Sequence, residues 1–477
     1  MSARKLVKMN KTESVITWLS DLKHPAKYLS VFFIILILAF KQSHCQNVLE
    51  SKTDEYHLFH QWAPTPPMGW NSWDCFGPTV TEEEVKANAD YMARYLKKSG
   101  WQYIVVDIRW YVENDKAGGY NQKDPVFVMD EFGRLTPAVN RFPSAAGGKG
   151  FKPLADYIHS KGLRFGIHIM RGIPVLAVKK NTPITGSSAR AQDIYSAENQ
   201  CRWLRDMYTI VAGKQGAQEY YNSLSQLYAS WDVDFIKVDD ISGRLDEIAM
   251  VRKAIDNCGR PIILSLSPGG NRIEHAEFLR NNANMWRTTD DFWDNWPDLK
   301  NEFEVCHKWS SSGGKGYYPD ADMLPLGRIG IRAERGQPRN SGFTRDEQYT
   351  LMTLFAIFRS PLMFGGNLPD NDEFTLSLIT NKNILKVNQN SINNRQLFRD
   401  NDVIIWTADD PEKGYKYVAF FNASEQPQAE VSVKFEQMGL PGIHRVKDLW
   451  TGKNLGKFNG IFTRSINSHG AGLYKIY

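Results

Sequence analysis

Between about residues 62 and 385 the chain alternates short apolar runs with longer stretches whose apolar positions recur every three or four residues. The runs YIVVD (103–107), RFGIHIM (164–170), VDFIKVD (233–239), PIILSLS (261–267) and NMWRTT (284–289) are nearly continuous in apolar character, as strands covered on both faces must be. The stretches between them carry helix signals. Thr81 with Glu84 forms a capping box ahead of Val85, Ala89, Met92 and Leu96, and Gly100 ends that pattern. Thr344 with Glu347 repeats the device before Leu351, Leu354 and Phe358, with Pro361 as the stop. Repeated strand–helix alternation without a GxGxxG turn predicts an α/β fold, a (β/α)8 TIM barrel over 62–385, rather than an open nucleotide-binding sheet. From 386 to 477 the pattern changes to apolar–polar alternation (VIIWTA, KYVAFFN, AEVSVKF, HRVKDLW, GLYKIY), which predicts a C-terminal antiparallel β-sandwich.

The first 45 residues stand apart. They hold Arg4, Lys5, Lys8, Lys11, Lys23, Lys27 and Lys41 against Glu13 and Asp21, so they carry the whole formal charge of +5 and leave the rest neutral. The apolar run Leu29–Phe40 is too short to span a bilayer as a helix and suits an export signal to the periplasm or beyond. Cys45 leaves lipid anchoring open, although Gln42-Ser43-His44 lacks the small-residue box of such sites. Export would allow Cys75, Cys201, Cys258 and Cys306 to form two disulfides in three pairings. A neutral body without a basic stripe or P-loop excludes nucleic acid, and the absence of CxxC and HExxH patterns argues against a metal; no cofactor is expected.

Carboxylates stand where barrel chemistry occurs, at the ends of strands: Asp107, the pair Asp239–Asp240, and the pair Asp290–Asp291. Lys237 shares a strand face with Asp239, so its charge would hold that carboxylate ionised. A single strand-end Asp is more often a helix cap or an ion-pair partner. Three together, beside Arg287 and Trp70, Trp73, Trp110, Trp286, Trp293 and Trp296, suit a carbohydrate substrate. Two carboxylates in different protonation states are the equipment of glycoside hydrolysis.

The segments PPMGWNSWDCFG (66–77), FGIH (165–168), DFIKVDD (234–240), MWRTTDD (285–291), PDADMLPLG (319–327) and SPLMFGG (360–366) resemble glycoside hydrolase family 27, the α-galactosidases and α-N-acetylgalactosaminidases, in the family's order. That resemblance implies a barrel plus sandwich and a retaining mechanism, with Asp239 as nucleophile and Asp291 as general acid/base. It further implies that Lys237 binds the 3- and 4-hydroxyls, Arg287 the 2-hydroxyl and Asp107 the 4-hydroxyl, that Trp73 faces the sugar near C5 and C6, and that Trp110 helps wall the site.

The chain departs from the family where galactosidases carry two successive Asp residues followed by Cys-Trp. Here Asp107 is followed by Ile108, Arg109 and Trp110. The acceptor for a 6-hydroxyl is lost, a buried hydroxyl without a partner costs about 1–3 kcal/mol, and the branched side chain of Ile108 is expected to fill the volume that the hydroxymethyl group would occupy. β-L-Arabinopyranose keeps every other galactose feature and has only hydrogen at C5. The chain thus resembles the family's β-L-arabinopyranosidase branch, with arabinogalactan side chains as a source of the sugar. α-Galactosidase as the main activity remains the alternative. Ser267, where galactosidases carry Glu, resembles the α-N-acetylgalactosaminidase pattern. A sugar-binding protein without activity would have lost a catalytic carboxylate, and both are present.

Overall fold

Apolar runs that cannot meet water on either face become the staves of a parallel barrel. The computed structural model describes residues 57–477, which form one compact unit. Its barrel strands are β1 (Met68–Asn71), β2 (Tyr103–Val106), β3 (Arg164–Met170), β4 (Phe235–Asp239), β5 (Ile263–Leu266), β6 (Met285–Arg287), β7 (Tyr318–Asp320) and β8 (Leu362–Phe364). They pair in parallel in the order β8-β1-β2-β3-β4-β5-β6-β7. Leu324 joins the two ends: its N–H donates to the Met363 carbonyl at 2.7 Å, and its carbonyl accepts from the Gly365 N–H at 2.9 Å. β1, β7 and β8 have no counterpart among the apolar runs, because β1 and β7 include Gly, Pro or Asp and β8 is three residues set between Pro361 and Gly365. Gly69 is required in β1, since a Cβ there would lie 2.7 Å from both Cβ and the carbonyl oxygen of Tyr103 on β2.

Helices α1 (Glu82–Tyr91), α2 (Lys152–Ser160), α3 (Ala217–Ser230), α4 (Leu245–Asp256), α5 (Ala276–Arg280), α6 (Trp296–Trp309), α7 (Arg345–Phe358) and α8 (Lys382–Asn390) follow the strands in turn. Both expected capping boxes are formed, by Thr81 with Glu84 and by Thr344 with Glu347. Val85, Ala89, Met92 and Leu96 are all fully buried, as the stripe required.

The sandwich holds β9 (Ile392–Asp400), β10 (Val403–Asp409), β11 (Lys416–Asn422), β12 (Gln428–Lys434), β13 (Ile443–Asp448), β14 (Asn454–Asn459), β15 (Ile461–Asn467) and β16 (Ala471–Ile476). One sheet runs β9-β10-β11-β16-β13-β14 and the other pairs β12 with β15, all antiparallel. Alternation along β11 sends Val418 and Phe420 into the sandwich core and Ala419 and Phe421 into the core shared with the barrel.

Cys75, Cys201, Cys258 and Cys306 are free thiols, so the two expected disulfides are not formed. Three of these thiols are buried, and Cys75 instead donates to the Ser72 carbonyl. The export signal and Cys45 lie outside the described residues. Among the described residues, no helix is long and apolar enough to cross a membrane.

Candidate active site

Parallel strands deliver their last side chains to one end of the barrel, and there a cavity of about 490 Å³ opens. Asp107, Asp239, Asp291, Lys237, Arg287 and Trp73 all line it. Asp239 is the last residue of β4, Lys237 stands two residues earlier on the same face, and Arg287 ends β6. Asp107 follows β2 directly; its N–H donates to Ser72 Oγ at 2.9 Å and its Oδ1 accepts from the Ile108 N–H at 2.7 Å.

His168 on β3 stands between two of these carboxylates. Its Nδ1 is 2.5 Å from Asp107 Oδ1 and its Nε2 is 3.1 Å from Asp239 Oδ2. Neither nitrogen makes a well-aligned hydrogen bond, so these are contacts of charge and proximity. Lys237 Nζ lies 3.5 Å from Asp107 Oδ2. Burial alone would raise the Asp107 carboxyl, but the charges of His168 and Lys237 outweigh it and hold the group well below the usual carboxylate range. Burial would lower His168 and Lys237, yet Asp107 chiefly, with Asp239, raises both. The cation expected to keep Asp239 ionised therefore makes its ion contact with Asp107, and an imidazole stands against Asp239.

On the far side, Arg287 Nη2 is 2.7 Å from Asp322 Oδ2 and 3.3 Å from Asp291 Oδ1. Asp322 Oδ2 also accepts from the Phe292 N–H at 2.8 Å. Burial raises the Asp322 carboxyl against the pull of Arg287, and burial brings Asp320, on β7, up to about 6. The side chain of Asp291 is 44% exposed, open to the mouth of the cavity, whereas Asp239 is buried at its base. Such a pair can present one carboxylate to an anomeric carbon in the cavity and the other to a departing oxygen at its mouth.

The aromatic wall is Trp73, Tyr120 and Trp203. Tyr120 stacks on Trp73 with ring centroids 5.8 Å apart and tilts against Trp203 at 6.1 Å. Trp293 also lines the cavity. Trp110, expected in the wall, is instead fully buried: its ring packs against Phe151 and Trp231, and its Nε1 donates to the His168 carbonyl at 2.8 Å. Ile108, expected to fill the space of a hydroxymethyl group, does not do so: it is 1% exposed, belongs to the hydrophobic core and is not among the residues lining the cavity. The chain reverses after Asp107, with Arg109 in the left-handed region (φ 65°), which turns both apolar side chains away from the opening.

Outside the cavity, Asp156, His159 and Asp232 have the spacing of a cation site, but Lys152 and Arg260 already neutralise its carboxylates.

The family profile described as alpha galactosidase A matches residues 65–178 and 184–390, and the alpha galactosidase C-terminal beta sandwich domain matches 400–476. The chain belongs to glycoside hydrolase family 27. Within family 27, a solved structure of a β-L-arabinopyranosidase from Geobacillus stearothermophilus is 55% identical, covering 88% of this chain and 97% of that one with a TM-score of 0.86. The α-galactosidase of Cyamopsis tetragonoloba is 28% identical over 421 residues, 86% of each chain. An α-galactosidase A of Cellvibrio japonicus is 29% identical over 392 residues, 77% of this chain and 78% of its own. The protein is thus a glycoside hydrolase of the α-galactosidase type acting on carbohydrate.

The family 27 segments contain His168 and Asp322, yet nothing in FGIH or PDADM taken alone marks those side chains as cavity residues. Asp74, beside Trp73, also lines the cavity, although it stands past the end of β1 where no strand pattern marks it. Tyr120 and Trp203 sit in irregular loops, AGGYNQ and CRWLR, where no periodicity gives a side chain its direction.

Proposed function

We propose that the enzyme is a retaining exo-glycosidase that favours terminal β-L-arabinopyranosyl residues. The observation that carries this reading is Ile108 directly after Asp107, where the galactosidase pattern has a second carboxylate. A β-L-arabinopyranoside has the ring geometry of an α-D-galactoside without the hydroxymethyl group, so it asks nothing of position 108. The likeness to the Geobacillus arabinopyranosidase supports the same choice, and another structure of that enzyme holds arabinose.

In this mechanism Asp239 attacks C1 while Asp291 protonates the leaving oxygen; Asp291 then takes a proton from water, which releases the sugar from Asp239. Asp107 grips the 4-hydroxyl, Lys237 the 3- and 4-hydroxyls and Arg287 the 2-hydroxyl, and Trp73 covers the ring near C5. Ile108 acts through what it lacks. Its side chain sits in the core behind Asp107, and its N–H fixes the Asp107 carboxylate at 2.7 Å.

Comparison of kcat/KM on aryl β-L-arabinopyranoside, α-D-galactopyranoside and N-acetyl-α-D-galactosaminide tests the proposal, with Ile108→Asp alongside. Arabinopyranoside should lead by about tenfold to a hundredfold, since a hydroxyl that meets no acceptor costs about 1–3 kcal/mol. Residual α-galactosidase activity is expected, and Ile108→Asp should shift the ratio toward galactoside. A wild-type preference for galactoside that the substitution leaves unchanged would remove the role assigned to Ile108.

A further inference from the structure

Beyond the residues that the mechanism uses, the cavity contains a carboxylic acid with no assigned partner. Asp74 lies in the short helical turn after β1, is 4% exposed and lines the cavity. Its Oδ2 is buried and has no hydrogen-bond partner among the described residues. The carboxyl group rests against Gly365, just beyond β8, where a Cβ would come within 1.9 Å of that oxygen. The position therefore depends on a glycine that leaves room for it. Buried polar groups are nearly always paired, and an unpaired one costs about 1–3 kcal/mol, so a group kept in this state inside a substrate cavity calls for a ligand.

We propose that Asp74 is a further specificity-determining residue, whose carboxyl group binds a ring hydroxyl of the glycoside when it enters the cavity. The inference rests on the glycosidase reading and extends its set of sugar contacts. Burial first, then the neighbouring Asp322 charge, raises the Asp74 carboxyl well above the usual range despite the opposing pull of Lys237. A neutral acid can both donate to and accept from a hydroxyl, and it adds no charge to a cavity already holding Asp107, Asp239, Asp291 and Asp322. A sugar that presents the hydroxyl pairs with the acid and one that lacks it leaves the acid unpaired, so the contact discriminates between them.

The test is a cycle between Asp74 and each hydroxyl. Wild type, Asp74→Leu and Asp74→Asn are assayed on the aryl glycoside that wild type cleaves best and on its 2-, 3- and 4-monodeoxy analogues, with Tm measured for each protein. Asp74→Leu should lower kcat/KM on the parent by about tenfold to a hundredfold, while one deoxy analogue loses little or nothing. Its Tm should not fall, because the leucine replaces an unpaired acid. Asp74→Asn keeps the shape and both hydrogen-bonding functions, so it should stay within about tenfold of wild type on the parent and identify the same hydroxyl. Equal losses across the parent and all three analogues, in whichever variants fold, would make Asp74 a structural residue and overturn the inference. The cycle uses whichever glycoside is best, so a wrong choice between arabinopyranoside and galactoside leaves it intact; inert wild type would instead sink the glycosidase reading before any variant is made.

Discussion

His168 is the residue whose neighbours say most about how the cavity is held. Asp107 faces it from the end of β2, and Lys237 and Asp239 face it from β4, so two anions and one cation surround one imidazole. Its folded value is raised above the ordinary 6.5, chiefly by Asp107, against burial that acts in the opposite direction. Stability gained from protonated His168 is therefore fully present below pH 6.5 and is lost as pH rises through the higher folded value. Asp107 behaves inversely: its contribution is present above its ordinary 3.8 and is lost as pH falls through its lowered folded value. Between pH 3.8 and 6.5 both contributions are complete. His168→Gln removes one partner of a buried pair and should cost about 3–5 kcal/mol near the middle of that window. In urea denaturation the gap to wild type should narrow toward alkaline pH. A gap that stays constant to about pH 9 would mean a neutral imidazole in the folded protein.

At the scale of the element, the turn that ends β2 determines what surrounds the sugar. Arg109, fully buried and with φ 65°, donates from Nε to Asp206 at 3.0 Å, from Nη1 to Asp115 at 3.0 Å and from Nη2 to the Asn121 carbonyl at 3.0 Å. Its guanidinium also lies 5.5 Å from the Tyr120 ring. The loop that brings Tyr120 over Trp73 is thus tied to the turn that presents Asp107. Arg109→Leu leaves two buried carboxylates without their cation, and should cost about 3–5 kcal/mol in chemical denaturation. Arg109→Lys should recover only part of this loss, because an ammonium cannot reproduce the forked contacts. Equal stability of the Lys variant and wild type would show that charge alone holds the loop. This network also explains what was legible in the sequence. Asp107, Lys237, Asp239, Arg287 and Asp291 could be gathered at one barrel end because strand periodicity and strand ends give side chains a direction. Ile108 and Trp110 lie past the strand, where a left-handed residue resets that direction, and Tyr120 depends on a long-range ion network that no local pattern records. β2 to β6 were readable as apolar runs; β1 and β7 were not, since Gly, Pro or Asp interrupts them, nor was β8, three residues set between Pro361 and Gly365.

At the scale of the whole molecule, the sandwich and the barrel share one hydrophobic core. Phe421 of β11 meets Phe303 of α6 with ring centroids 5.0 Å apart, and Trp406 of β10 meets Phe358 of α7 at 6.3 Å. Polar contacts fix the same face: Trp450 Nε1 donates to Thr353 Oγ1 at 3.0 Å, and Thr350 Oγ1 donates to the His469 carbonyl at 2.6 Å. Thr350 and Thr353 are fully buried on α7, so without the sandwich both hydroxyls and a strip of aromatic surface would face water. α7 leads directly into β8, the strand that Leu324 joins to β7, and the Leu324 link lies one residue beyond Asp322 and Met323 on the cavity wall. The sandwich thus supports the region where the barrel ring closes. Unfolding should accordingly be a single cooperative transition, with near-ultraviolet and far-ultraviolet dichroism and residual activity sharing one midpoint. Phe421→Ala empties a buried aromatic site between the two domains and should cost about 3–5 kcal/mol. The midpoints for activity and for secondary structure should fall together. An early loss of sandwich signal while the cavity still turns over substrate would mean that the barrel closes without its partner, and that the shared core contributes little to the active site.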